Sequence, residues 1–330
     1  MHCKLHGFLP IYATAPVALT ACELQPSALA AAGSAAEQTL QLFWWMSAVA
    51  VLVWLFVIAA ACYAARTTAP EPGSLRTAQR LIVFGGIILP VILLGTLLVA
   101  GLRQMPRMTA PGDGLVIDVT GERWWWRVRY EPLNGRAAIT ANEIRMPVDE
   151  RVEFTLRSSD VIHSFWIPAL GGKIDMIPGR VNRLVLDATR TGRYRGVCAE
   201  FCGLSHTLME FDVIVMEPEQ FAAWLVQQSE PAALPADPVA KRGQGLFLEN
   251  GCGACHRISG TAANGRIGPD LSHVGARLHV AAGTLPAGAD SFAHWIGHTT
   301  DIKAGALMPA YDMLNRAERR AIGVYLAGLR

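Results

Sequence analysis

The stretch Cys198-Ala-Glu-Phe-Cys202-Gly-Leu-Ser-His206-Thr-Leu-Met209 places two thiols, one imidazole and one thioether within twelve residues. Soft sulfur ligands combined with imidazole favour copper, zinc or an iron–sulfur cluster. A structural zinc site uses four Cys or His ligands, commonly with closer cysteine pairs, so the Met favours copper. This stretch therefore predicts a copper centre, and a zinc site or a disulfide loop is the alternative.

The number of cysteines bears on how many copper ions such a centre would hold. A mononuclear blue-copper site uses one Cys and two His. A second Cys four residues later is surplus to that site, but it suits two copper ions bridged by two thiolates. The pair requires a further imidazole, and His163 in Asp160-Val-Ile-His163-Ser-Phe is the candidate.

Short runs of β type surround these residues. They alternate in character and are separated by Gly and Pro, which is typical of a small antiparallel sandwich or barrel. We therefore predict an all-β domain over 112–228 that ends in a helix over 216–228. The Pro- and Ala-rich stretch 229–240 predicts a semi-stiff linker. The β-type runs include 115–119, 151–156, 181–186 and 211–215.

The composition of the 330-residue chain points to membrane segments outside this domain. Hydrophobic residues make up 52% and charged residues 17%, whereas roughly a quarter of residues are charged in soluble proteins. Two uncharged apolar runs, 42–63 and 81–102, are each long enough to cross a bilayer at about 20 residues per span. We predict a transmembrane hairpin over 40–104, and buried helices are the alternative.

Charges and an N-terminal signal set the orientation of this hairpin. The connecting loop carries three arginines and one glutamate, which places it in the cytoplasm, although Arg103 and Arg107 weakly oppose this. Residues 1–21, with Lys4 and a modest apolar stretch, have the form of an export signal. Leu-Thr-Ala-Cys22 resembles a lipoprotein processing site, and a plain signal peptide is the alternative. Export places both ends of the hairpin outside.

The net charge and the cysteine positions exclude two further classes. A net charge of +2 gives no electrostatic case for nucleic-acid binding. The seven cysteines lie in separate sequence contexts: the export signal, an apolar run, the metal-binding stretch and a Cys-x-x-Cys-His run. No disulfide framework is therefore needed.

The run Cys252-Gly-Ala-Cys255-His256 predicts covalent attachment of a c-type haem. Both thiols can reach the haem vinyl groups while the adjacent His binds iron; a redox Cys-x-x-Cys or a zinc knuckle is the alternative. His/Met ligation raises the potential of a haem, and Met308 is the candidate sixth ligand. We expect a helical, loop-rich domain without strands over 241–330. The competing ligands are Met313 and the lone histidines His273, His279, His294 and His298.

Residues 142–225 resemble subunit II of haem–copper cytochrome c oxidases, through Asp160-Val-Ile-His-Ser, Ile177-Pro-Gly-Arg180 and the run from Cys198 to Met209. The resemblance implies a cupredoxin sandwich that holds the mixed-valence copper pair CuA. Cys198 and Cys202 would bridge the two ions, while His163 and Met209 complete one of them. His206 and the Glu200 carbonyl would complete the other. The Glu200 side chain would face subunit I, where the family places a magnesium ion.

The aromatic run Gly121-Glu-Arg-Trp124-Trp125-Trp126 resembles the segment that passes electrons to CuA in this family. Trp124 stands where the family has the Trp through which electrons enter, and Trp125 replaces the usual Tyr. Adjacent aromatics are also common in cores and at membrane interfaces, which is the alternative. In the C-terminal part, Met308-Pro and Gly268-Pro-Asp-Leu resemble cytochrome c motifs.

Two departures from the family pattern affect these expectations. Acidic residues near CuA commonly dock a basic cytochrome c, whereas Arg127 and Arg129 would repel one. We therefore expect that a tethered haem domain replaces such docking through its effective concentration. Many relatives also have a Glu seven residues before the Pro of the second helix. Val83 replaces it before Pro90, so we expect proton uptake to use subunit I.

Together these features predict subunit II of a caa-type oxidase in a bacterial inner membrane, with both redox domains on the periplasmic face. Electrons would pass from an external donor, either cytochrome c or the cytochrome bc complex, to haem c, Trp124, CuA and subunit I. Subunit III is a further expected partner. The alternative is the CuA subunit of a nitric oxide reductase. A membrane-tethered copper carrier would lack the haem motif at Cys252 to His256.

Overall fold

The computed structural model describes residues 27–66, 75–133 and 135–330. The predicted signal peptide, Cys22 and the loop between the apolar helices lie outside these ranges. Helix α1 spans Ser34–Arg66. A second long helix is built from α2 (Leu75–Val83), a π-helical turn (Phe84–Ile88) and α3 (Leu89–Thr109).

The π-helical turn in the second helix ends just before Pro90. Proline cannot donate a backbone hydrogen bond, and its ring clashes with the carbonyl four residues earlier. The wider π-helical turn at Gly85 and Gly86 accommodates the missing hydrogen bond and the bulk of the proline ring. A Cβ added at either glycine would meet no other atom within 4 Å. Val83 is the last residue of α2 and is exposed.

Both long helices expose their apolar side chains. The most apolar windows of Ser34–Arg66 and Ala78–Arg103 have mean hydropathies of 2.5 and 2.7, and neither window is buried. Soluble proteins rarely expose contiguous apolar surfaces of this size. Such surfaces mark a contact with a membrane or with another protein. Length and composition make both helices competent to cross a bilayer.

Ten strands form two packed five-stranded sheets, which we call the sandwich domain. The strand orders are β3-β2-β1-β5-β8 and β4-β10-β9-β6-β7. The strands are β1 (Val116–Glu122), β2 (Trp125–Leu133), β3 (Arg136–Ala141), β4 (Glu143–Pro147), β5 (Val152–Ser158), β6 (His163–Trp166), β7 (Ile174–Met176), β8 (Asn182–Leu186), β9 (Gly192–Cys198) and β10 (Glu210–Met216).

Two strand pairs depart from the antiparallel pattern expected from the sequence. Strand β1 pairs with β5, and β10 pairs with β4, in parallel. Parallel neighbours require a long crossover connection. Between β1 and β5 this connection consists of β2, β3 and β4, of which β4 belongs to the other sheet. A sandwich that switches sheets in this way remains all-β, as predicted.

Alternating side chains fill the space between the two sheets. Every second residue of β1 is buried, as expected for a strand with one face towards a core. The rings of Phe165 and Phe211 stack with centroids 4.9 Å apart, and Trp126 meets Phe211 at 5.1 Å. Trp126 is completely buried, so this member of the tryptophan run serves the core beneath the ligand-bearing strands.

The C-terminal part, which we call the helical domain, has its own core. Helix α5 (Pro238–Glu249) packs on the last helix, where Gly243 approaches Ala321. Asn315 caps that last helix in a capping box with Glu318. A small hairpin at His279–Val280 and Leu285–Pro286 contradicts our expectation of no strands. Its two-residue strands are too short to show alternation. Helix α4 (Pro218–Ser229) belongs instead to the sandwich domain, whose core includes its Phe221, Trp224 and Leu225. The elements of the helical domain are α5 (Pro238–Glu249), α6 (Cys252–Cys255), β11 (His279–Val280), β12 (Leu285–Pro286), α7 (Ala289–Gly297), α8 (Thr299–Ile302) and α9 (Arg316–Gly328).

The stretch between α4 and α5 lies against the helical domain. The Ala232 amide donates to the Ser259 carbonyl at 3.1 Å, and Ala232 is buried. The His273 ring donates from Nε2 to the Glu230 carbonyl at 3.1 Å. Asp237 caps α5, whose first residue is Pro238. This stretch is therefore tied to the helical domain at Glu230 and Ala232, while most of its other residues are exposed.

Candidate copper and haem sites

The proposed copper ligands come from three neighbouring parts of the sandwich domain. Cys198 ends β9 and His163 begins β6, and these two strands are hydrogen-bonded neighbours. Cys202 and His206 lie in the loop that follows β9. Met209 immediately precedes β10, which returns alongside β9. The sheet therefore brings His163 to the loop from 35 residues away in sequence.

The ligand atoms converge on one small volume. The Sγ atoms of Cys198 and Cys202 are 3.8 Å apart. His163 Nδ1 lies 3.8 Å from Cys198 Sγ, and His206 Nδ1 lies 3.6 Å from Cys202 Sγ. Met209 Sδ is 3.8 Å from Cys202 Sγ. His163, Cys198 and Cys202 are all buried and form a group that could hold a metal ion.

The backbone of Glu200 completes this donor set. Its carbonyl oxygen lies 3.2 Å from Cys198 Sγ. The Glu200 side chain points away and is 46% exposed, with its carboxylate 4.0 Å from the Lys173 ammonium group. One residue thus offers a carbonyl to the buried site and a carboxylate to the surface. The five side chains and this carbonyl fit a pair of copper ions bridged by two thiolates.

The two thiols differ in acidity because they share one proton. The hydrogen bond from Cys202, with a contribution from His163, lowers the pKa of Cys198 to about 3 although burial opposes this. The pKa of Cys202 is raised, because its proton is hydrogen-bonded to Cys198 and a second buried charge would lie beside the first. Bound cations favour deprotonated thiols, so metal ions can take the place of the shared proton.

Asp160 orients the imidazole of His163 from the side opposite the thiols. Its Oδ1 lies 2.8 Å from His163 Nε2. Burial opposes ionisation of Asp160, but hydrogen bonds from His163 and from the amides of Val161 and Arg123 lower its pKa. An ionised carboxylate accepts the Nε2 proton and leaves Nδ1 free for a metal ion. This role of Asp160 is not evident from the sequence pattern, although Asp160 lies three residues before His163.

Trp124 lies directly on the ligand-bearing loop. Its indole Nε1 donates to the Cys202 carbonyl at 3.0 Å, and the residue is only 7% exposed. A Cβ at Gly203 would lie 3.0 Å from Cζ2 of the ring. Trp125 instead faces outward and carries the Arg127 guanidinium 4.7 Å above its ring. The three tryptophans thus occupy three distinct environments.

The surroundings of His256 in the helical domain suit the iron ligand predicted from the sequence. Its Nδ1 donates to the Pro269 carbonyl at 2.9 Å, which leaves Nε2 as the free lone pair. Burial lowers the pKa of His256 and keeps the ring neutral. Gly268 permits this arrangement, because a Cβ there would lie 2.5 Å from Cε1 of the ring. The residues fit a haem whose iron binds His256.

The two candidate methionines have different environments. Met308 is partly buried and packs against the helical core, together with Cys252 and Tyr311. Its carbonyl accepts a hydrogen bond from Thr299 Oγ1 at 2.9 Å. Met313 is 72% exposed. These positions favour Met308 as the sixth ligand.

The lone histidines have protein partners. His279 Nδ1 lies 2.6 Å from the Asp212 carboxylate in the sandwich domain. The His298 ring donates to the His294 carbonyl at 3.0 Å, and the His273 ring is bonded to the linker as described above. These three rings therefore have hydrogen-bond partners, and the His294 ring lies against the His298 ring with centroids 4.8 Å apart.

The two domains meet through polar contacts as well as through the connecting chain. Arg127 Nη2 donates to the Ile267 carbonyl at 3.2 Å, and Arg145 Nη2 donates to the Ala276 carbonyl at 3.3 Å. The Leu278 amide donates to the Glu143 carboxylate at 2.8 Å. Arg127 thus contributes to a specific interface, and the expected effect of the tether is accompanied by direct docking.

Comparisons with known proteins agree with this division. Residues 131–217 match the family model described as cytochrome c oxidase subunit II, periplasmic domain. Residues 240–330 match the cytochrome c family model. Cytochrome c oxidase subunit 2 of Alkalihalophilus pseudofirmus is 36% identical over 74% of this chain and 71% of its own length.

The chain belongs to the cytochrome c oxidase subunit II family.

Further relatives extend this comparison. Cytochrome c oxidase subunit 2 of Bacillus subtilis is 34% identical over 74% of this chain and 70% of its own length. The crystal structure of the periplasmic domain of subunit II of cytochrome oxidase of Bradyrhizobium japonicum has 35% identity. The match covers 37% of this chain and 96% of the Bradyrhizobium chain, with a TM-score of 0.34.

Membership of this family indicates which cofactors and which partner subunits the chain has. The chain is subunit II of a haem–copper terminal oxidase, an oxidoreductase, and the nitric oxide reductase alternative is not favoured. Its subunit II domain implies CuA copper, and its cytochrome c domain implies haem. A subunit II also implies the other oxidase subunits and a membrane setting, which agrees with the two apolar helices and with a periplasmic domain.

Proposed function

We propose that this chain receives electrons at a covalently bound haem c and delivers them through CuA to subunit I of a caa-type oxidase. The observation that carries the proposal is the convergence of two thiols, two imidazoles, one thioether and one carbonyl beside Trp124. When bound, the copper pair and the haem supply one-electron oxidation and reduction. The protein supplies their positions and their separation from water.

For the copper pair we assign bridging roles to Cys198 and Cys202. His163 and Met209 would complete one ion, and His206 with the Glu200 carbonyl the other. Five of these six donors belong to the segment Cys198 to Met209, and the sheet supplies His163. The exposed Glu200 carboxylate is suited to a magnesium ion at the boundary with subunit I.

For the haem we assign thioether bonds to Cys252 and Cys255 and axial ligation to His256 and Met308. The hydrogen bond from His256 Nδ1 to Pro269 supports the first axial ligand. Partial burial of Met308 against the core of the helical domain supports the second. Trp124, bonded to the Cys202 carbonyl, is the residue through which electrons would reach the copper pair.

The proposed setting is a bacterial inner membrane with both redox domains on the periplasmic face. Export by residues 1–21, with or without lipidation of Cys22, would give this orientation. Subunit I and subunit III are the proposed membrane partners, and cytochrome c or the cytochrome bc complex is the proposed donor. Proton uptake would use groups of subunit I, since Val83 cannot carry a proton.

Purification of the intact complex tests this function. We expect two copper ions and one covalent haem per copy of this chain, beyond the metals of subunit I. We also expect oxygen consumption that exceeds nitric oxide consumption. Nitric oxide turnover without oxygen turnover would overturn the proposal. Loss of haem from the denatured chain on acid–acetone extraction would contradict covalent attachment.

A further inference from the structure

Lys303 occupies the boundary between the sandwich domain and the helical domain. It is 4% exposed. Its Nζ lies 2.6 Å from the Trp124 carbonyl, 2.8 Å from the Leu208 carbonyl and 3.2 Å from the Ala281 carbonyl. The first two carbonyls belong to the sandwich domain and the third to the helical domain. One ammonium group therefore joins the domains beside the copper-binding loop.

A buried ammonium group is an unusual choice for an interface contact whose only role is to add stability. Transfer of an ammonium group out of water is costly, and burial lowers the pKa of Lys303 to about 7. Its hydrogen-bond partners are three carbonyls, which match the three donors of an ammonium group. Apolar side chains often stabilise an interface as well as buried charges do. What the ammonium group adds is a fixed geometry, since it requires all three carbonyls to converge.

The geometry that it fixes is that of Trp124. Lys303 Nζ donates a hydrogen bond to the Trp124 carbonyl, and the Trp124 indole Nε1 donates one to the Cys202 carbonyl. Its ring lies between two glycine backbones, one from each domain. A Cβ at Gly305 would lie 2.8 Å from Cη2, and one at Gly203 would lie 3.0 Å from Cζ2. Both glycines have positive φ, which other residues adopt at a cost.

The segment that holds Trp124 also leads to the proposed haem ligand. Ala306 donates its amide to the Lys303 carbonyl at 3.0 Å, which folds the chain back after Gly305. Ser205, in the copper-binding loop, donates its hydroxyl to the Ala304 carbonyl at 2.7 Å. Met308 follows two residues after Ala306. A short stretch of chain therefore connects Trp124 with the sixth ligand proposed for the haem.

We propose that Lys303 is a positioning residue that seats the helical domain on the sandwich domain, so that Trp124 stays in contact with the segment leading to Met308. This inference rests on the proposed function, because the contact matters only if electrons pass between the domains at this point. Lys303 touches neither metal group; it acts through Trp124 and Leu208.

The test uses the intact oxidase with Lys303→Met, which keeps the length of the side chain and removes the ammonium group. Exposed Lys241 in α5 provides the matched control, Lys241→Met. After flash reduction of the haem, two rates are measured: electron transfer from haem to CuA, and the second-order reduction of the haem by a soluble donor. Copper and haem contents are measured on the same samples.

We expect Lys303→Met to slow the transfer from haem to CuA by about tenfold or more, because small displacements of reacting groups have large effects on rate. Haem reduction by the donor and both metal contents should remain unchanged, as they should throughout in Lys241→Met. An unchanged transfer rate in Lys303→Met would overturn the inference. Equal loss of both rates, or loss of metal, would also overturn it by showing a general structural role.

Failure of the proposed function would give a different result. In that case the unmodified chain would itself lack copper or haem, or would show no transfer between them. Transfer in the unmodified complex that is unaffected by Lys303→Met would remove only the positioning role. If Lys303→Met does not assemble, Gly305→Ala tests the same contact, because its Cβ would displace the Trp124 ring while leaving Lys303 in place.

Discussion

Asp160 and His163 form a hydrogen bond of 2.8 Å between Oδ1 and Nε2, on the side of the imidazole that faces away from the thiols. The contact fixes which nitrogen of His163 is available to a metal ion. Arg123 and Val161 in turn hold the carboxylate through their backbone amides. The orientation of this proposed ligand thus depends on a residue that does not itself reach the site.

Asp160→Asn should weaken copper binding. Loss of a carboxylate that orients a metal-binding His typically lowers metal affinity by about 10- to 100-fold. We expect reduced copper retention during dialysis against a chelator and a changed CuA absorption spectrum. Asp118→Asn is the control, because Asp118 pairs with Arg157 at the domain surface. Equal copper retention in both variants would contradict the role of Asp160.

Gly268→Ala should impair the haem site. The new Cβ would lie 2.5 Å from Cε1 of His256, and overpacking of this kind typically costs about 1–3 kcal/mol. We expect less haem per chain and an altered axial-ligand spectrum. Gly288→Ala serves as the control, since no atom lies within 4 Å of its Cβ. Normal haem content and spectrum in Gly268→Ala would refute the assigned position of His256.

The pH dependence of iron ligation should reflect the burial of His256. Burial lowers its pKa below the ordinary value of 6.5, so the folded chain keeps this ring neutral while an exposed ring binds a proton. The unfolded state therefore takes up more protons as the pH falls through 6.5, and folding stability falls with it. We expect acid titration of the haem spectrum to show loss of His ligation with a midpoint below 6.5. A midpoint at or above 6.5 would be inconsistent with a buried ligand.

His279→Ala should weaken the contact between the domains. It removes the nearest partner of Asp212, a buried carboxylate that otherwise has Arg195 at 3.5 Å. Leaving a buried acceptor with fewer partners costs about 1–3 kcal/mol. Denaturant unfolding of the intact chain, followed by haem absorption, should shift to lower denaturant. Exposed His294 provides the control variant His294→Ala, and equal shifts in the two variants would argue against this contact.

The sequence was informative wherever function resides in a short segment. Five of the six proposed copper donors lie between Cys198 and Met209, and the two thiols and the His proposed to bind the haem lie in five consecutive residues. The two long apolar helices could also be predicted, because the ability of a helix to cross a membrane depends on its length and composition. These features predicted the fold class, which the structure confirms.

Features that depend on distant contacts were not predictable. Lys303 and Trp124 are separated by 179 positions, and nothing in the residues around either one indicates the other. The parallel pairing of β1 with β5 depends on how intervening strands change sheets, which alternation of side chains does not encode. The hydrogen bonds that join Glu230 and Ala232 of the linker to the helical domain are likewise long-range contacts, which a composition of Pro and Ala does not indicate.

The start of α1 is joined to the sandwich domain, and this determines how that domain is carried. The Ala32 amide donates to the Ala169 carbonyl at 2.7 Å, and its carbonyl accepts from the Thr189 amide at 2.8 Å. Ser34 Oγ donates to the Asp187 carboxylate at 2.7 Å. The sandwich domain therefore cannot rotate freely about the head of α1. With α1 placed across a membrane, its tilt would set the height and the orientation of the proposed copper ligands relative to the bilayer surface.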